Sequence, residues 1–336
     1  MKIALWSFAH THALSYWHVL SQRADVELVV TDPDHGRRGN EPGGEALAAQ
    51  LGVTYLPDYA ATLDWGAEAV VICSENSDHR RLTELAAAGG AHVLCEKPIA
   101  TSVEDAEAMI TACAEAGVSL MVAYPVRFSP DFVQLKQTVD AGALGQVLAI
   151  TGTNNGQIPM DARAWFVDPE LAGGGSLTDH TVHVADLIDC LFDGVPARSV
   201  YASTNKILHG DRVSVETGGM VSVEYANDVI ATVDCSWSKP DSYPTWGGLT
   251  LQLVASGGIA DLDAFASRVD GHSETRRNGL WLAYGTNADE LMINEFLDAV
   301  STGRRPQPDG EAGLRSLRVV QAGYASVRSG QPVALD

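Results

Sequence analysis

Lys97 stands in the segment Cys95-Glu96-Lys97-Pro98, directly after an apolar run at 91–94, and Asp179 and His183 lie four residues apart further along the chain. A lysine at the end of a buried strand sits where open α/β sheets bind their ligands. Preceded by a carboxylate and pinned by proline, it is placed for proton work rather than for solubility. Residues at i and i+4 of a helix project from one face, so Asp179 and His183 are expected to point the same way. A lysine together with an Asp–His pair can move a proton while a hydride leaves the adjacent carbon. His10 and His12, two apart at a strand end, suggest a different chemistry, because such imidazole pairs can ligate a metal. With Asp179, His180 and His183 they would make the ligand set of a metal-dependent hydrolase. That reading needs an eightfold βα barrel, with strands and helices alternating throughout.

The elements that must hold these groups fall into two regions. Over the first third, short apolar runs at 3–6, 26–30, 69–73, 92–95 and 120–123 alternate with helical patterns at 11–23, 45–51, 78–88 and 103–116. Strands alternating with helices of this length read as βαβ units in a parallel, doubly wound sheet. Ser102, with Asp105 three residues on, gives the last of these helices a capped start, and Gly117 closes it. After about residue 125 the texture changes. A helix at 131–141 ends at Gly142, a strand follows at 147–153, and a glycine-rich loop leads into the helix bearing Asp179. Period-2 segments come next at 197–207, 213–225, 229–237, 249–255 and 259–262, and helices near 289–301 and 310–329 close the chain. Such alternation predicts a large, mainly antiparallel open sheet with one face covered by helices. The expected organisation is an α/β domain over 1–125 and an α+β substrate-binding and oligomerisation domain over 126–336. A strand-rich second half argues against the barrel.

Composition excludes several classes of function. Apolar residues make up 46% of the 336 and charged residues 19%, an ordinary globular balance. A net charge of −21 argues against nucleic acid or an anionic membrane surface as a partner. No run reaches the ~18–20 consecutive apolar residues of a membrane span, and no signal peptide is expected after Met1-Lys2. Five scattered cysteines without a CxxC pair (Cys73, Cys95, Cys113, Cys190, Cys235) fit reduced thiols in a cytoplasmic protein.

Several motifs in order resemble a known family. They are Ser77-Asp78-His79, then Cys95-Glu96-Lys97-Pro98-Ile99-Ala100, Arg127-Phe128-Ser129-Pro130, and Gly173-Gly174-Gly175-Ser176-Leu177-Thr178-Asp179 with His183 and Asp186. Asn294-Glu295-Phe296-Leu297-Asp298-Ala299 and Ser326-Val327-Arg328-Ser329-Gly330-Gln331-Pro332-Val333 extend the likeness to nearly the whole chain. The chain resembles the superfamily of glucose–fructose oxidoreductase, inositol 2-dehydrogenase and MocA-type enzymes. The resemblance implies a Rossmann domain for a nicotinamide dinucleotide, followed by a catalytic domain on an open antiparallel sheet. It implies a sugar, cyclitol or related polyol as substrate, and a homodimer or homotetramer paired through the exposed sheet face. By the same resemblance Lys97 contacts the reacting hydroxyl and the cofactor ribose, His183 is the proton donor or acceptor, and Asp179 helps bind substrate. Arg127, Arg163 and Trp165 fall in segments that line the nicotinamide end, and Ser74, Asn76, His79 and Glu96 join the cofactor site. A redox-neutral enzyme of the same fold, a glycosidase, epimerase or lyase cycling a bound NAD, would use the same residues.

The chain departs from the family at its first turn. Where Gly-x-Gly-x-x-Gly is expected, it has Ser7-Phe8-Ala9-His10-Thr11-His12. Those glycines give a tight turn, close approach to pyrophosphate and close helix–strand packing. Ser7 and Ala9 are small enough for the approach. His12 is bulky and must push the helix from the strand or project elsewhere. The helix N-terminus still favours a phosphate. Asp32, beyond the second strand, is placed to bond the adenosine ribose hydroxyls, which favours NAD over NADP. Arg37 and Arg38 could instead clamp a 2′-phosphate. As a bare turn former before Pro33, Asp32 has a structural reading too. Of Trp165, Trp237, Trp246 and Trp281, one is expected to touch substrate and the rest to be core or interface.

Overall fold

The structure, a computed structural model, describes residues 1–275 and 277–335. In chain order it begins with β1 (Lys2–Trp6), α1 (His12–Ser21), β2 (Glu27–Thr31), α2 (Gly44–Leu51), β3 (Thr54–Tyr55) and α3 (Tyr59–Asp64). Next come β4 (Ala69–Ile72), α4 (His79–Ala88), β5 (His92–Cys95), α5 (Val103–Ala116), β6 (Leu120–Val122), α6 (Pro130–Asp140), β7 (Val147–Gly156), α7 (Pro169–Ala172) and α8 (Ser176–Leu191). The remainder is β8 (Ala197–Asn205), β9 (Gly218–Tyr225), β10 (Ile230–Asp234), β11 (Gly247–Ala255), β12 (Gly258–Asp263), β13 (Arg268–Ser273), β14 (Asn278–Ala283), α9 (Ala288–Thr302), α10 (Gly310–Ser329) and β15 (Val333–Ala334). Two compact units form. One takes Met1–Tyr124 together with Pro159–Gly173 and Asp289–Leu314; the other takes Pro125–Ile158, Gly174–Ala288 and the chain from Arg315 onward. The stretch 126–336 is therefore not one contiguous unit.

In the first unit all six strands run parallel in the order β3-β2-β1-β4-β5-β6. Ile3, Ala4, Leu5 and Trp6 on β1 are all fully buried, as a strand covered on both faces requires. The strand order reverses between β1 and β4. That crossover is where doubly wound sheets bind ligands, outside the carboxyl ends of the strands. Helix α5 starts as its sequence predicts, with Ser102 Oγ accepting the Asp105 N–H, and ends at Gly117 in the left-handed conformation. β3 and α3 were not evident in the residue pattern. β3 has only two residues and α3 only six, so neither carries a readable period; Asp58 caps α3 by accepting the Ala61 N–H at 2.8 Å.

The second unit is built on a seven-stranded sheet, β12-β11-β7-β10-β9-β8-β15, in which β7 and β10 pair in parallel and the other neighbours are antiparallel. Leu249, Leu251 and Leu253 of β11 face inward while Thr250, Gln252 and Val254 face out, which is the predicted alternation. α8 crosses the inner face so closely that a Cβ at Gly152 of β7 would come within 2.5 Å of Val184 Cγ1. The predicted strand at 213–225 begins only at Gly218. The hairpin β13–β14 was not foreseen, because the β13 sequence Arg-Val-Asp-Gly-His-Ser has no apolar face to mark it. Among the described residues no helix is long and apolar enough to cross a membrane.

Candidate active site

β1 delivers the chain into the turn at 7–11. Ser7 takes φ +72°, the left-handed conformation for which glycine is the usual choice. Its side chain offsets the cost: Oγ donates to Asp32 Oδ1 and accepts the Ala9 N–H, both at 3.1 Å. Main-chain bonds from Ser7 N to Thr31 O and from His10 N to Cys73 O, each 2.8 Å, tie the turn to the ends of β2 and β4. Arg163 Nε and Trp165 Nε1 both donate to Ala9 O at 3.0 Å, and Arg163 Nη2 donates to Phe8 O at 3.3 Å. The turn is thus held by hydrogen bonds where glycines would have let it fold unaided.

His12 opens α1 and projects toward the end of β5. Its Nδ1 lies 3.0 Å from Glu96 Oε1, and His10 Nδ1 lies 3.7 Å from the same oxygen. Glu96 Oε2 accepts the Lys97 N–H at 3.1 Å, which fixes the carboxylate with Oε1 toward the imidazoles. Burial alone would raise the Glu96 carboxyl. The facing imidazoles, with hydrogen bonds from His12 and Tyr16, more than reverse this and hold it well below the usual carboxylate range. Burial likewise opposes charge on His12, but the Glu96 carboxylate wins and moves the imidazole above its ordinary value. His10 Nδ1 accepts the His12 N–H at 3.1 Å. Lys97 follows β5 directly and is only 4% exposed. His79, fully buried, supports this segment by donating from Nδ1 to Pro98 O at 2.9 Å; burial lowers its pKa and keeps it neutral.

Beyond β2, Asp32 is almost fully buried. Arg38 Nη2 reaches both its carboxylate oxygens, at 2.5 and 2.6 Å, and the Gly44 N–H donates to Oδ2 at 2.8 Å. With Ser7 Oγ as a fourth donor, the ~four acceptor directions of a carboxylate are all used.

The second unit places Asp179 and His183 on one face of α8. Trp237 Nε1 donates to Asp179 Oδ2 at 3.1 Å, and His180 Nε2 lies 3.2 Å from the same oxygen. The three glycines before α8 are demanded by close neighbours. Gly174 has φ +152°, and a Cβ there would fall 1.9 Å from the Tyr324 hydroxyl; one at Gly175 would fall 2.2 Å from Glu216 O. Glu216 Oε1 accepts the Gly175 and Leu177 N–H groups at 2.9 and 3.0 Å and the Tyr324 hydroxyl at 2.7 Å, satisfying the open end of the helix.

Two family models cover most of the chain. Residues 13–124 match the oxidoreductase family with an NAD-binding Rossmann fold, and residues 132–279 match the GFO/IDH/MocA C-terminal domain. The chain is 30% identical over 299 residues to D-xylose 1-dehydrogenase (NADP(+)) 2 of Haloferax volcanii, covering 88% of this chain and 90% of that one. It is 33% identical over 303 residues to 1,5-anhydro-D-fructose reductase of Ensifer adhaerens, covering 87% and 88%. This protein belongs to the GFO/IDH/MocA oxidoreductase family. The crystal structure of GenD2 from gentamicin A biosynthesis in complex with NAD shares its fold, with a TM-score of 0.88 at 23% identity over 100% of this chain and 96% of that one.

For a GFO/IDH/MocA oxidoreductase, several expected site residues sit in supporting positions. Arg127 donates from Nε to Asp186 Oδ2 at 3.1 Å and from Nη2 to Asp186 O at 3.2 Å, and also bonds Asp186 Oδ1, so its donors are engaged by α8. Arg163 and Trp165 hold the first turn, Asn76 Nδ2 donates to Ala172 O at 2.9 Å, and Ser74 Oγ donates to Glu75 O at 3.0 Å. Glu96, expected beside Lys97, directs its carboxylate to His10 and His12. Ala9 is fully buried, while Thr11 is exposed at the mouth of α1. Among the described residues the His/Cys/Asp/Glu group close enough to hold an ion is His10, His12 and Glu96, and the fold is not a barrel. Reading the sequence missed Glu216, Tyr324 and the Arg38–Asp32 pair. Three consecutive glycines were the available signal that something packs against that loop.

Proposed function

We propose that this chain is an NAD(P)-dependent dehydrogenase or reductase acting on a CH–OH group of a sugar, cyclitol or related polyol. The observation that carries the reading is Lys97, buried at the carboxyl end of β5 beside the strand-order crossover, in a chain of this family. The named activities of the D-xylose dehydrogenase and the anhydrofructose reductase support a carbohydrate substrate. The residues present fit a dinucleotide. The Ser7 backbone makes the turn a glycine would make, α1 offers its N-terminus to a diphosphate, and Asp32, at the end of β2, would bond a ribose hydroxyl once one of its present donors yields. A bound nicotinamide would supply the acceptor or donor for the hydride of the carbinol carbon. His183 takes the hydroxyl proton on an imidazole nitrogen, and returns it in the reverse direction. Lys97 Nζ stabilises the developing alkoxide oxygen by charge and hydrogen bonding. Asp179, held by the Trp237 N–H, orients the substrate through its other oxygen.

Lys97→Ala is expected to abolish turnover of any polyol substrate while saturable NADH binding persists. His183→Asn should cost about 10²–10⁴-fold in kcat. Near-normal turnover in either variant refutes the assigned roles. A homodimer or homotetramer is part of the same proposal. Leu148, Tyr201, Met220, Ile230, Val254 and Ile259 are exposed on the seven-stranded sheet, and a partner covering that face would remove them from water. A reducing, cytoplasmic setting accords with free thiols at all five cysteines.

A further inference from the structure

We infer that His10, His12 and Glu96 form a binding site for one divalent transition-metal ion at the amino end of α1. The three side chains each offer a ligand atom, and those atoms lie within 4.8 Å of one another. Two donors about 2.1 Å from a tetrahedral ion stand ~3.4 Å apart. The separations from Glu96 Oε1 to the two Nδ1 atoms, 3.0 and 3.7 Å, bracket that value. A simple histidine–carboxylate hydrogen bond accounts for one imidazole on Oε1. The second imidazole, His10, whose Nδ1 also accepts the His12 main-chain N–H, stands 3.7 Å from the same oxygen, and the two rings meet edge-on at a centroid distance of 4.3 Å, so that both imidazoles and the carboxylate converge on one point.

The surroundings are those of a supported ligand set. Glu96 is oriented by the Lys97 main-chain N–H on its other oxygen, and outer contacts of this kind fix ligand geometry in metal sites. Tyr16 brings its hydroxyl to 3.4 Å from His12 Nδ1. The Glu96 carboxylate faces both imidazoles, which favours a cation among the three. Entry of an ion displaces the weak N–H···N bond between His12 and His10, and the freed amide is at a helix end where water can take it. Two imidazoles and one carboxylate select zinc, cobalt, iron or nickel over the oxygen-seeking magnesium and calcium. Three protein donors leave positions open for water or a ligand oxygen. His12 remains a third exposed, which gives the ion a route in.

This inference stands apart from the dehydrogenase reading, because it is tested with the metal alone. Full-length protein stripped with chelator is titrated with Co²⁺, following visible absorption and melting temperature. The expected result is one equivalent bound with ligand-field bands and a raised melting temperature, the bands being lost on addition of Zn²⁺. His12→Ala should weaken cobalt binding by ~100-fold or more, about two steps of 1.4 kcal/mol; it also takes from the buried Glu96 its 3.0 Å partner and lowers the metal-free melting temperature, so affinities are compared at a temperature where both proteins are folded. Glu96→Gln should weaken it by about tenfold or more. His18→Ala, an exposed histidine on the same helix, should bind as the wild type does. Absent cobalt bands at millimolar concentration, or undiminished binding in His12→Ala, overturns the site. Equal loss in His18→Ala overturns it too.

Discussion

Arg38→Ala tests how the adenosine end of the dinucleotide site is set. In the structure the Asp32 carboxylate receives two bonds from Arg38, one from the Gly44 N–H and one from Ser7 Oγ. Ribose hydroxyls can bond Asp32 only if one of these donors yields. Removing one partner of a buried ion pair costs ~3–5 kcal/mol, because the other charge stays buried. Here Asp32 keeps two donors and water can enter the vacated space, so the lower end, ~3 kcal/mol, is the expected loss. At ~2–4 °C per kcal/mol for a unit of this size, the cofactor-free melting temperature should fall by about 6–12 °C. Cofactor preference should shift as well. With Asp32 freed, NADH binding holds or tightens, whereas NADPH loses a nearby cation and meets an unshielded carboxylate, weakening by about tenfold or more. Arg38→Lys should restore little, since an ammonium cannot span both carboxylate oxygens. Calorimetry and parallel fluorescence titrations with NADH and NADPH read both effects. A melting shift below about 2 °C, or equal weakening of the two cofactors, refutes the reasoning.

Three further outcomes are expected. Gly174→Ala should cost about 3 kcal/mol or more, measured by urea unfolding, because its Cβ meets the Tyr324 hydroxyl at 1.9 Å on a φ of +152°; wild-type stability would show that the loop yields. Trp237→Phe removes the N–H on Asp179 Oδ2, a bond to a charged group worth ~1.5–3 kcal/mol. It should raise KM about tenfold with kcat within a few-fold, and an unchanged KM speaks against Asp179 as a substrate ligand. His79 is buried neutral with its pKa below the ordinary 6.5. The unfolded chain therefore binds the extra proton first, and stability should fall as pH drops below 6.5, by at most ~1.4 kcal/mol per pH unit from this group. His79→Asn, whose amide can replace the Nδ1–H donor to Pro98, should flatten the slope measured by denaturant unfolding between pH 7 and 5.5; an identical slope assigns it to other groups.

What could be read from the residues, and what could not, follows from range. The parallel sheet was legible because Ile3–Trp6 and its companion strands are apolar on both faces, a signal carried within each strand. The larger sheet was legible from period-2 alternation, and α5 from a cap, Ser102 with Asp105 three residues on, and a closing glycine at 117. β13 left no such mark, because a hairpin with no buried face writes no period. The site behaved the same way. Lys97 at a strand end and Asp179 with His183 on one helical face are local geometry. Which donor takes Asp32, which carbonyl Arg163 holds and where His12 points are decided by residues up to about 150 positions away, and no spacing rule spans that distance. The first turn shows why the missing glycines misdirect a reader of sequence. A glycine motif is a statement about backbone conformation, and Ser7 reaches that conformation at φ +72° by bonding Asp32 and Ala9 through its hydroxyl. The third glycine is replaced differently: His12 does not crowd β1 but turns to a buried carboxylate that the Glu-Lys-Pro segment provides. The first and third lost glycines are thus each compensated by a carboxylate from a strand end, Asp32 for Ser7 and Glu96 for His12, so the turn and Glu96 must be read as one unit, and a substitution at either is expected to disturb the other.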